Sequence, residues 1–215
     1  MKKIVTLLLA AFLFMVSALP LNVNAAENVS IGKPCLSQKA VDFKQEQRKL
    51  WSDHVFWTRN YIISDLANLE DKGKVLERLL RNQDDIGALY KPYYGEENSK
   101  KLTALLKEHI QLAGQVVDAA KASNKADLDK YNKLWYENAD KIASFLSSAN
   151  PNWSKPVLQE MLYKHLQLTA AEAVSRLNKN WDADIAAFDK GYTHILNFAD
   201  VLSDGVVKQF PDKFK

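Results

Sequence analysis

Two stretches decide the fold: LTALLKEHIQL, Leu102–Leu112, and LQEMLYKHLQL, Leu158–Leu168. In each, apolar residues recur every three or four positions, the period of one face of an α-helix, and a histidine interrupts the apolar run at the same place. Laid on one another, Leu102 falls on Leu158, Leu106 on Leu162, His109 on His165 and Leu112 on Leu168, always 56 residues apart. Asn82 and Asn138, and Ile86 and Ile142, keep the same offset, so the match reaches into a second helix and reads as a duplicated helical hairpin. Leu50–Thr58, with His54, fits the same template more loosely.

Outward from these stretches, the helical period holds from about Ser37 to Phe210 and breaks at Glu70–Gly73, Lys91–Gly95, Ser123–Lys125, Ser148–Ser154 and Asn178–Asn180. Five breaks predict six helices. Gly73 is the expected left-handed helix stop, Pro92 the expected breaker, Asn124 with Asp127 a cap pair, and Ser154 a cap before Pro156. No segment alternates as a strand does. Short links force antiparallel neighbours, so the expected fold is an all-α up-and-down bundle over residues 37–210.

The residues before the bundle carry an address. Lys2 and Lys3 precede an apolar run, Ile4–Leu19, and small residues at Val23–Ala26, the pattern of a secretory signal peptide over 1–25; residues 26–36 read as a flexible segment. A secreted or envelope location follows, with the single Cys35 lacking an internal partner. Removing 1–25 leaves 27 basic against 26 acidic residues. So balanced a chain has no basic stripe to release counterions, which excludes nucleic acid as a partner and gives no strong pull toward an anionic membrane after cleavage.

The stripe of the second helix is Val75, Leu79, Asn82, Ile86 and Leu89; the corresponding face of the third contains His109 and that of the fifth His165. In antiparallel helices, residues equally far from the connecting turn stand at one height. Counted from the breaks, Asn82, His109, Asn138 and His165 share a level halfway along the bundle, His54 joins it, and His194 falls near it but at the edge of its helix's apolar face. Imidazoles and amides buried without partners cost about 1–3 kcal/mol each, so this layer must bond internally, be hydrated or hold something. Two readings follow. In one, His54, His109 and His165 converge on a transition metal ion, Asn82 and Asn138 orient the rings, and His194, Asp85 or Asp140, with Glu108 or Asp200, add ligands. In the other, the layer is a hydrogen-bonded key that fixes helix register, and the protein meets an envelope partner through the aromatic loops Tyr93–Gly95 and Asn150–Trp153. No catalytic constellation accompanies either, so binding is expected rather than catalysis.

With His54-x-x-Trp57-Thr58-Arg59, Leu80-Arg81-Asn82-x-x-Asp85, Pro92-x-Tyr94-Gly95, Trp135-Tyr136-x-Asn138-Ala139-Asp140, Asn150-Pro151-x-Trp153 and Gln209-Phe210-Pro211, the chain resembles a family of small exported helical proteins of spore-forming Gram-positive bacteria. The resemblance runs from about Leu50 to Phe210 and implies an exported all-helical bundle. Members carry labels such as glycosyltransferase or acetylglutamate kinase; the Gly-rich phosphate loop and strand-helix alternation those activities imply are missing from this sequence. No residue role is carried over.

Overall fold

The structure is a computed structural model that describes residues 36–215. The expected signal peptide, the segment up to residue 35 and Cys35 lie outside the described residues. Among those described there is no strand. Five α-helices follow one another: α1 (Gln38–Leu66), α2 (Lys72–Lys121), α3 (Lys125–Ala149), α4 (Lys155–Leu177) and α5 (Trp181–Gln209), closed by a 3-10 turn at Pro211–Phe214. Sequential helices lie side by side and α5 returns to α1, so the bundle is a closed ring. None of these helices is long and apolar enough to cross a membrane.

The count is five rather than the expected six because the break at Lys91–Gly95 shrinks to one residue. Pro92 stays inside α2, and only Gly95, at φ 82° and ψ 170°, leaves helical geometry. That left-handed torsion is cheap for glycine alone, and it folds the two arms of α2 onto each other. Ser99 Oγ donates to the Gly87 carbonyl at 2.7 Å across the fold, and a Cβ on Gly87 would stand 1.9 Å from Thr103 Oγ1, so only glycine permits this approach.

Of the remaining turns, the Asn124–Asp127 cap pair forms as expected, whereas those of Gly73 and Ser154 use different chemistry. Gly73 lies in the first turn of α2; the left-handed residues are Asn68, Ser123 and Lys179, one after each of three helix ends. Ser37 caps α1, its side chain accepting from the Ala40 amide, while Asn124 and Asn180 cap α3 and α5 through the Asp127 and Ala183 amides. Ser154 makes no side-chain cap bond. The aromatic loops Tyr93–Gly95 and Asn150–Trp153 seal one end of the core: Trp153 is buried, Tyr94 donates to Gln209 Oε1 at 2.8 Å and accepts from Asn150 Nδ2 at 2.9 Å, and Tyr93 stacks on Phe214.

Candidate functional site: the polar layer

His54 on α1, His109 on the second arm of α2 and His165 on α4 are each at least nine-tenths buried and meet halfway along the bundle. Trp51, Leu106, Ile142, Leu162, Ile195 and Phe198 surround them. His165 stands between the other two rings, with centroids 5.4 Å from His54 and 6.1 Å from His109.

The hydrogen bonds fix the proton on His109. The Trp135 indole N–H can only donate, and it reaches His109 Nε2 at 3.1 Å; Nδ1 therefore bears the proton and donates to Asn138 Oδ1 at 2.9 Å. The Asn138 amide gives its own hydrogens to the Leu105 carbonyl and Glu108 Oε2, both at 3.1 Å. Every polar atom of the His109 ring is thus committed.

The other pair is less satisfied. Gln83 Nε2 donates to the Leu79 carbonyl at 2.9 Å and to Asn82 Oδ1 at 3.0 Å, and a longer 3.4 Å contact sets it against His54 Nδ1. An NH2 group facing Nδ1 leaves the His54 proton on Nε2, which points at His165 Nε2, 3.4 Å away. His165 then carries its proton on Nδ1, and that buried atom has no partner. Burial holds all three imidazoles neutral: His54 is pushed down to about 3, His109 to about 4, and His165 well below the ordinary histidine value. Neighbouring rings add to the effect at His54 and His165.

A regular pattern underlies the layer. Asn82 Nδ2 donates to the Leu50 carbonyl at 3.0 Å, Asn138 Nδ2 to that of Leu105, and His194 Nε2 to that of Met161 at 2.7 Å. Each carbonyl lies four residues before a layer histidine, so it is the acceptor of that histidine's own helical amide. His194 is therefore not a fourth ring of the cluster but the counterpart of the two asparagines.

The expected additional ligands lie elsewhere. Asp85 is exposed; Asp140 accepts from Gln159 Nε2 and from the Tyr163 hydroxyl at 2.8 Å; Asp200 is held by Arg48 at 2.7 Å. Among the described residues no three His, Cys, Asp or Glu side chains are arranged to hold a metal ion. The void inside the ring cluster is about 10 Å³, room for one water at most.

Two members of the layer, Gln83 and Trp135, are not singled out by the seam pattern. Both leave a signal, since Gln83 adjoins Asn82 and Trp135 lies three residues before Asn138, on the same helix face. Comparisons of the chain with protein-family models, curated proteins and solved structures find no match.

Proposed function

We propose that this protein is an exported, non-enzymatic binding protein whose histidine and asparagine layer fixes helix register and is not itself the ligand chamber. The observation that carries the reading is the commitment of both His109 nitrogens to Trp135 and Asn138, around a void too small for more than one water. A metal would have to strip those bonds before His109 could act as a ligand. Export rests on Lys2, Lys3 and the apolar run Ile4–Leu19, and membership in the exported helical family of spore-formers rests on the motifs quoted above. Origin by repetition of one hairpin is supported by the donors Asn82, Asn138 and His194, by the left-handed turns at Asn68, Ser123 and Lys179, and by the hairpin-like fold of α2 at Gly95.

One observation favours the metal reading. His54 Nε2 and His165 Nε2 face one another, so a tautomer shift that moves the His54 proton to Nδ1 would leave two unprotonated nitrogens turned toward a single ion. Metal analysis after incubation with zinc and with copper decides between the two. The structural key predicts less than about a tenth of an equivalent retained and no rise in melting temperature; near-stoichiometric retention with a raised melting temperature would overturn it.

A further inference from the structure

Next to the layer, toward the turns at Asn68, Ser123 and Lys179, a pocket of about 300 Å³ opens between the first half of α3 and the last half of α4. Native interiors are packed with few voids larger than a water, so a space of this size needs an explanation. Trp135 forms one wall, with its N–H turned away to His109, and Ile62, Leu79, Ile110 and Val117 form the depth. Thr58 and Thr169 also face it, but their hydroxyls donate back to the His54 and His165 carbonyls at 2.8 and 3.0 Å. The polar hydrogens of Trp135, Thr58 and Thr169 are consumed by the fold, which leaves the Tyr61 hydroxyl and the Asn132 amide as the uncharged polar groups of the lining.

We propose that this pocket binds an uncharged, mainly hydrocarbon molecule of about a dozen or more carbon-sized atoms, an alkyl chain or a small fused aromatic, with any polar end at the Asn132 rim. Charge selects the class. No Lys, Arg or His lines the space, and its one charged residue, Asp129, is exposed and already paired with Lys125 at 2.7 Å. An anionic headgroup finds no cation here, and a bare ammonium finds only a carboxylate that is already paired. Small side chains keep the room open: Ala113 on α2 and Ala170 and Ala173 on α4 stand where larger residues would fill it. This site goes beyond the reading of the layer and shares with it only the Trp135–His109 bond.

The test titrates the full-length chain with N-phenyl-1-naphthylamine, a neutral apolar fluorophore. Saturable binding of about one probe per chain is expected, with Ala170→Phe and, from the opposite wall, Ala113→Phe each weakening it about tenfold or more while the helical circular dichroism is retained. Leu134→Ala, outside the pocket, should leave binding unchanged. Dodecanol should displace the probe at about a tenth or less of the concentration of dodecanoate. No saturable binding, equal binding by whichever filling variants fold, or displacement by dodecanoate as effective as by dodecanol would overturn the proposal. Metal retention by the layer would leave this result untouched, so the two readings fail separately.

Discussion

Two seams of the ring stand at the same sequence offsets from the histidine layer and end differently. At the seam between α5 and α1, Arg59 donates to Asp184 Oδ1 at 2.8 Å and to Glu172 Oε1 of α4 at 2.7 Å, Arg176 joins Asp184 at 2.9 Å, and Arg59 lies over the Phe188 ring. Between α3 and α4, the positions at the same offsets from the layer are Ala170, where the other seam has Arg59, and Leu128, where it has Asp184. One seam is plugged by a nearly buried ion cluster; the other is the open apolar pocket. At matching offsets from the layer, different side chains leave one space closed and the other available.

The largest break in this comparison comes from the plug. Arg59→Ala leaves Glu172 buried without its cation and Asp184 with Arg176 alone, and should cost about 3–5 kcal/mol, whereas Leu128→Ala at the matching place in the open seam should cost about 1 kcal/mol; chemical denaturation of both variants measures the gap. Next comes the wall that the layer and pocket share. Trp135→Phe orphans His109 Nε2 and should cost about 1–3 kcal/mol in the same assay.

Acid should act on the layer more than on either seam. The three imidazoles have folded values depressed below about 6.5, so the unfolded chain binds protons that the native chain refuses, and stability present above pH 6.5 is lost as the pH falls toward about 4. Each ring contributes a slope of up to about 1.4 kcal/mol per pH unit. Glu172 opposes them: burial raises it to about 7 despite Arg59, so it takes up a proton on folding between about 7 and 4.5 and offsets roughly one ring. Denaturation midpoints between pH 7 and 4.5 should therefore fall with a net slope of about two protons. The smallest expected stability change sharpens the comparison most: Leu128→Asp combined with Ala170→Arg copies the plug into the open seam, shifting stability by about 1 kcal/mol or less while abolishing probe binding.

The level of the histidines is legible in the sequence because height along antiparallel helices is set by counting from turns, and the turn at Asn124 carries a visible cap. Rotation about each helix axis is set by packing that no single face records. Asp140 has the right height but turns to Tyr163 and Gln159, and Trp135, outside the seam pattern, turns its N–H to His109. Helix ends are less legible where ordinary residues take the left-handed torsion, as Asn68, Ser123 and Lys179 do, and where one glycine replaces a loop, as Gly95 does. The pocket has no linear signature at all, since its small residues lie on different helices.

Neutral histidines with fixed protons lie at the centre of the bundle. Long-range 1H–15N correlation of the imidazole rings at pH 6 reads this directly. The expected spectrum has His54, His109 and His165 all neutral, with the proton on Nε2 of His54 and on Nδ1 of His109. An imidazolium signal from any of them at pH 6, or rapid tautomer exchange at His109, would contradict it.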